Sequence, residues 1–373
     1  MRWLAFLLLA TSATASPPEV YVWQRLWTPA VDSAIRNSTG LFAGYRVLAA
    51  ETDRGGHLKA FAVNWRVANT AVVRIDGSLG RFDAPRLLRE LSTLKAQWPP
   101  GVALEIDYDC GTASLAAYAR FLAQVRTLHP VRLSITALPA WLQSDDFVAV
   151  LAQIDEAVLQ LHAVRSPAQG LFDAKLARRW VDQIDRYGKP FRVALPDYGT
   201  RVVWSETGAV VAMESETPRL ISGASADELT TTPQSVASLL ADLDRRPPRH
   251  LSGIVWFRLP VAGDERIWSL ATLKAVIHRL PLTPLVQIDV RQGLIPGSRD
   301  VLLVNDGPLD AALPPAIHVP PPCASADGVG GYRYEAQKKT FVRLQNVLLR
   351  AHHARVIGWV RCTAGRGDFD VEP

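Results

Sequence analysis

Eight short runs of β-branched and apolar residues, separated by stretches with helical spacing, constrain this chain more than any other feature. They fall at residues 20–25, 45–50, 71–76, 103–109, 132–137, 157–162, 191–195 and 253–258. Most are spaced as strand–helix units, too far apart for hairpins, and parallel strands need such a crossover. Right-handed crossovers put every helix on the same side, so eight units predict an α/β fold, a (β/α)8 TIM-type barrel.

The intervening helices carry their own punctuation. After Ser114, the residues Leu115, Tyr118, Leu122 and Val125 form one apolar stripe. From Asp173, Leu176, Trp180, Ile184 and Tyr187 form another, with Gly188 placed to end it and Pro190 to prevent its continuation. Thr232-Pro233 starts a third with a cap residue and a proline at the first helical position. Two stretches break the rhythm. Residues 51–65 hold a turn signal and a second strand-like run at 58–64, predicting a hairpin extension of the second unit. Residues 198–231 exceed a normal loop, and the runs 201–204 and 209–213 around Glu206-Thr207-Gly208 predict another hairpin after the seventh strand. There it would rise over the mouth of the barrel and form one wall of a cleft.

After Leu280 frequent prolines punctuate short apolar runs, the pattern of a small β-rich domain such as a sandwich. A length of 373 residues suits a barrel plus one accessory module. The expected organisation is a leader at 1–15, the barrel at 16–282 and the β-rich domain at 283–373. Met1-Arg2, the apolar run 3–10 and Ala13-Thr14-Ala15 have the order of a signal peptide, with cleavage near Ser16. That run is far short of the ~20 residues of a bilayer span. The expected destination is the periplasm or the medium. In such an oxidising compartment Cys323 and Cys362 are the natural disulfide partners, and Cys110 is left as a buried small hydrophobe. The charge of +5 is spread singly or in pairs, not in the stripe a nucleic-acid groove needs. No phosphate-loop, dinucleotide, nucleophile-elbow or zinc-helix motif occurs, so no cofactor or metal is expected.

The fourth run carries the chemistry. Glu105, Asp107 and Asp109 alternate with Leu104, Ile106 and Tyr108, so the acids share one face of a strand. The apolar set packs under the helices and the acids point into the barrel, with Asp107 and Asp109 nearest its C-terminal mouth, where the active sites of this fold lie. Burying carboxylates together is costly unless they are paired or share a proton, and that cost points to use. The bland reading is that they balance inward bases, and Glu105, deeper, fits it best. Other strand ends add polar and aromatic groups: Trp23 and Arg25, Glu51, Arg74 and Asp76, Ser134 and Thr136, Gln160 and His162, Asp197 and Tyr198, Trp256 and Arg258. From these, Glu51 and Asp197 are the candidates for an opposing carboxylate. Trp23, Arg25, Asp76, His162, Tyr198, Trp256 and Arg258 are candidates for holding substrate.

Three stretches taken together, Tyr21-Val22-Trp23-Gln24-Arg25-Leu26-Trp27, Glu105-Ile106-Asp107-Tyr108-Asp109-Cys110 and residues 133–142, resemble the bacterial domain-of-unknown-function family numbered 3142. The resemblance implies an exported barrel protein and no particular activity. A looser likeness is to chitinase-type glycoside hydrolases, whose fourth strand ends in D-x-D-x-E. Glu105, Asp107 and Asp109 stand at the matching positions, and the first and last depart from the pattern. The expected function is hydrolysis of a polysaccharide or cell-envelope glycan, with Asp109 as general acid and Asp107 in support. A non-catalytic barrel binding a glycan or an envelope partner is the alternative. A metal-dependent hydrolase using Asp107, Asp109 and His162 is a third, weakened by the lack of a second histidine ligand.

Overall fold

The computed structural model describes residues 17–77, 82–162, 170–207, 210–214, 225–321, 323–344, 347–362 and 370–371. The expected leader at 1–15 lies outside the described residues, as do Gly208 and Ala209 of the expected second hairpin. All eight apolar runs are strands: β1 (Glu19–Val22), β2 (Gly44–Thr52), β3 (Ala68–Ile75), β4 (Ala103–Tyr108), β5 (Leu133–Ala137), β6 (Glu156–Gln160), β7 (Phe191–Pro196) and β8 (Leu251–Phe257). Each pairs in parallel with the next, and β8 pairs with β1, which closes the barrel.

Among the described residues six helices fill the crossovers: α1 (Pro29–Asn37), α2 (Ala84–Lys95), α3 (Leu115–Leu128), α4 (Asp146–Leu151), α5 (Ala174–Asp185) and α6 (Pro233–Arg245). Capping residues fix several starts. Asp83 accepts a hydrogen bond from the Arg86 amide, Asp173 from the Leu176 amide and Thr232 from the Ser235 amide. Gly188 takes φ 70° just past α5, a left-handed conformation that glycine adopts without a Cβ penalty. The buried stripe of α5 is Ala177, Val181 and Ile184, turned one residue from the expected one. The small Ala177 faces the sheet, leaving the bulkier Leu176 and Trp180 half-buried at its flanks. Between β2 and β3 the crossover is the expected hairpin: Leu58–Ala60 runs antiparallel to β2.

The barrel interior is packed. Tyr21, Trp23, Leu48, Val72, Val158, Ala194 and Val255 form one cluster inside it, while Ala49, Ala71 and Val102 belong to another on the outer side of the strands. Alternation along each strand sorts residues between these layers. Irregularities reset that alternation: the pairing of β2 with β3 shifts between Tyr45 and Arg46 and again between Leu48 and Ala50, and that of β8 shifts between Leu251 and Gly253.

The chain divides into two compact units, Met1–Pro196 with Leu239–Ala262 and Asp197–Ser238 with Gly263–Pro373. The first holds the barrel. In the second, Gly199–Trp204 is the centre of a three-stranded antiparallel sheet with Val210–Glu214 and Ser225–Thr230. A helix, α7 (Leu270–Ile277), begins at the Ser269 cap. Two four-stranded antiparallel sheets follow. One contains Val286–Gln292, Arg299–Asn305, His353–Cys362 and Cys323–Gly328, the other Tyr332–Glu335, Thr340–Arg343, Ala316–His318 and Asp370–Val371. Val301, Leu303, Ile357 and Val360 of the first sheet share a core with Ile317, Tyr332 and Phe341 of the second, the expected sandwich. Cys323 and Cys362 are register partners and are disulfide-bonded, and Cys110 is free and buried. No helix among the described residues is long and apolar enough to cross a membrane.

Candidate functional site at the barrel mouth

The inward side chains of the strands fall into a lower charged layer and an upper one. At the lower end, Arg46 of β2 is buried among carboxylates. Its guanidinium hydrogen-bonds Glu105 of β4, reaches Glu19 at 2.5 Å and Glu156 at 3.3 Å, and lies 3.3 Å from the Ser134 hydroxyl. Glu105 also accepts from the Tyr21 hydroxyl at 2.5 Å and from Ser134 at 3.1 Å. Glu156 accepts from Ser252 at 2.5 Å and from Arg192 at 3.0 Å. Burial resists charge on Glu156, but the Ser252 hydrogen bond with Arg192, Arg46 and Arg132 outweighs it and holds the carboxyl below its ordinary range. Both oxygens of Glu105 are engaged in this network, so Glu105 is a structural acid.

Two residues further along β4 the environment changes. Asp107 is 3% exposed, and its Oδ1 is buried with no hydrogen-bond partner among the described residues. Its Oδ2 lies 3.8 Å from Arg74 Nε on β3, and Thr136 of β5 hydrogen-bonds the carboxyl. Desolvation first, then the Asp109 carboxylate, push Asp107 up to about 8, against the pull of Arg74 and Thr136. Asp109, just past the strand, has a side chain 39% exposed at the rim, with Oδ2 3.8 Å from Arg74 Nη2. Its carboxyl is also raised, by burial and by Asp76, with Arg74 opposing.

A close approach between backbones sets the rim. A Cβ on Gly77 would lie 1.8 Å from the Asp109 carbonyl oxygen, so only glycine lets the end of β3 pass there. The Asp76 amide donates to Thr52 Oγ1 at 2.8 Å, tying the ends of β2 and β3 together. The irregularity in β2 brings Glu51 into register with Arg74. Glu51 accepts from Arg25 Nε at 2.7 Å. The floor is aromatic: Trp23 meets Phe257 edge-on at 5.0 Å between centroids and Tyr21 at 5.7 Å, and the Arg74 guanidinium lies 5.9 Å over the Trp23 ring. His162 stacks on Phe257 at 5.5 Å, and burial alone lowers its imidazole to about 4, so it is neutral across physiological pH.

The structure therefore brings Trp23, Arg25, Glu51, Asp76, Asp107, Asp109, His162 and Arg258 to the ends of the strands of one unit. It places the others elsewhere. Val255 and Phe257 are the inward residues of β8, because the irregularity at Gly253 shifts its parity. Trp256, expected inward, falls on the opposite face and is fully buried, as is Arg258 at the strand end. Asp197 and Tyr198 belong to the second unit, where the Asp197 carbonyl accepts from the Trp268 amide at 2.8 Å and Tyr198 bridges to Ile267. Among the described residues no three His, Cys, Asp or Glu side chains are grouped as a metal ion needs, which removes the geometric basis for the metal-hydrolase reading. Arg74, Thr136 and Phe257 were not among the candidates. The alternations Val73-Arg74-Ile75-Asp76 and Leu133-Ser134-Ile135-Thr136 signalled Arg74 and Thr136, and nothing local signalled Phe257.

Comparison with known proteins agrees with this architecture. No curated protein matches the chain. Among solved structures it is similar to a chitinase from Chromobacterium violaceum, with 13% identity over 71% of this chain and 98% of that one and a TM-score of 0.50. It is also similar to the spore cortex-lytic enzyme SleL of Bacillus megaterium, at 13% identity, 71% and 74% coverage and a TM-score of 0.47. The family 18 chitinase ChiB of Flavobacterium johnsoniae gives 13%, 71%, 93% and 0.45. At such identities the likeness is one of fold. A domain of unknown function, DUF8456, matches residues 289–363. The model of the domain of unknown function DUF3142 matches residues 67–262, more than half of the 373-residue chain and all of β3 to β8, and the chain belongs to that family.

Proposed function

We propose that this chain is an exported glycoside-hydrolase-like barrel protein that cleaves a polysaccharide or cell-envelope glycan by carboxylate acid/base chemistry. The observation that carries this reading is the pair Asp107 and Asp109 at the mouth, both raised above the ordinary carboxylate range by burial. Burial and the Asp109 carboxylate push Asp107 up to about 8, so the pair retains a proton near neutrality. Asp109, the exposed member, meets the substrate as general acid and passes that proton to the glycosidic oxygen as the C–O bond breaks. Asp107, enclosed behind it, is the supporting carboxyl. Glu51, ion-paired with Arg25 at 2.7 Å, is the candidate for the opposing carboxylate. The Trp23 ring and the neutral His162 form a floor suited to the apolar face and hydroxyls of a sugar. The chitinase likeness in fold is consistent with a glycan substrate.

One observation favours the binding alternative. Arg74 stands 3.8 Å from both aspartates, as an ion-paired wall in a non-catalytic groove would. The test is a screen of exopolysaccharides and cell-wall glycans for new reducing ends, with D109N beside the parent. Catalysis predicts a loss of at least ~10²-fold in D109N, with melting temperature unchanged or higher because repulsion is relieved. Full activity in D109N removes Asp109 from the mechanism. No product from any glycan, with a sharp drop in the melting temperature of D109N, supports the ion-paired reading.

A further inference from the structure

We propose that Arg74 is the positioning residue of this site, holding Asp107 and Asp109 with one guanidinium and so setting how firmly each keeps a proton. The inference rests on the acid/base reading above for its consequence in catalysis, but not for its test. Three observations carry it. First, one guanidinium addresses both carboxyls: Nε lies 3.8 Å from Asp107 Oδ2 and Nη2 3.8 Å from Asp109 Oδ2. The fork of an arginine spans two acids in this way, where the point charge of a lysine serves one at a time. Second, the guanidinium is anchored from another side, over the Trp23 ring at 5.9 Å, and Trp23 is itself fixed by Tyr21 and Phe257. Third, the two acids differ in their surroundings. Asp107 is enclosed and touched by Thr136, while Asp109 is 39% exposed and faces Asp76. A cation equidistant from both lowers both, but water screens its effect on Asp109 more than on Asp107. Arg74 thus loosens the hold of Asp107 on its proton more than that of Asp109.

The other charges that bear on the pair are Glu105 beneath Asp107 and Asp76 beside Asp109, and both raise the carboxyls. Arg46 below is committed to Glu105, Glu156 and Glu19, and Arg25 above to Glu51. His162 is neutral. Among the causes that act on the two aspartates, Arg74 is the opposing cation for each.

The experiment is a carbon-13 NMR titration of aspartate-labelled protein, with the two carboxyls assigned through D107N and D109N. In R74Q both apparent titration points move up, the Asp107 one by about 1 unit or more, the usual reach of one opposite charge at this distance. R74K restores Asp107 more fully than Asp109, because one ammonium replaces the fork. Titration curves of R74Q that overlay those of the parent overturn the proposal, whether or not a glycan substrate is ever found. If R74Q does not fold, R74M, which keeps the aliphatic stem over Trp23, takes its place with the same two outcomes. Where turnover is measurable, the pH profile of R74Q shifts in the alkaline direction along with the titration. A residue that only supported the fold would lower the melting temperature and leave both curves in place.

Discussion

Asp107 shows how a single buried acid ties chemistry to stability. In the folded chain it keeps its proton to about pH 8, against an ordinary value of 3.8. Between those two values the folded state binds more protons than the unfolded one, so this residue makes stability fall as pH rises. The penalty is absent below about pH 4, grows from there and is complete above about pH 8. Glu156, Asp155 and Asp185 have lowered carboxyls and contribute the opposite trend, stability present above their unfolded values and lost on acidification. Comparing D107N with the parent cancels those contributions. The melting temperature of D107N minus that of the parent is expected to increase by several degrees from about pH 5 to about pH 9. A difference that stays flat across that interval rules out the raised proton affinity of Asp107.

At the scale of the element, strand β4 holds two regimes on one face, and alternation alone could not tell them apart. Glu105, Asp107 and Asp109 share their parity, which was legible in the sequence because side chains alternate with period two. That Glu105 is structural depends on Arg46, fifty-nine residues earlier in the chain, and no local pattern carries a pairing of that range. The eight strands were legible for the opposite reason, since each repeats the same apolar run and helix punctuation. The parity of β8 was not, because one irregular residue near Gly253 reverses every inward assignment after it. Asp197 and Tyr198 follow the seventh strand as read, but their backbone partners, Trp268 and Ile267, are distant in sequence and invisible to a local reading. The Arg46 network gives this scale its prediction. Replacing Arg46 with methionine leaves Glu105 and Glu156 buried without their shared cation, a loss of about 3–5 kcal/mol. Urea unfolding followed by circular dichroism measures it. A loss below about 1 kcal/mol would mean that Arg192, Ser134 and Tyr21 suffice to hold the lower layer.

At the scale of the whole chain, the family match and the fold do not have the same bounds. The DUF3142 match begins at residue 67, yet the barrel closes only through β1 and β2, which precede it and pair with each other. Trp23 and Arg25 follow β1 and Glu51 lies in β2, so part of the mouth is supplied from outside the matched span. The sandwich in the second unit has its own closure, the Cys323–Cys362 bridge between paired strands. With a sequence separation of 39 between the two cysteines, the chain-entropy argument gives the bridge about 4 kcal/mol. Such a bond forms and persists in an oxidising compartment, which links it to the export expected of residues 1–15. Intact-mass spectrometry on protein recovered from a periplasmic fraction tests both together. The expected mass is that of a chain starting near Ser16. Alkylation under denaturing conditions should modify Cys110 alone before reduction and all three cysteines after it. Three modified cysteines without reductant would reject the bridge, and a retained leader would reject the expected export, so each outcome is read separately. The C323S/C362S double variant then measures the contribution of the bridge: unfolding of the second unit should shift by about 4 kcal/mol. A shift near zero would mean that strand pairing and the core built on Val301, Ile317, Phe341 and Ile357 hold this edge of the first sheet without it.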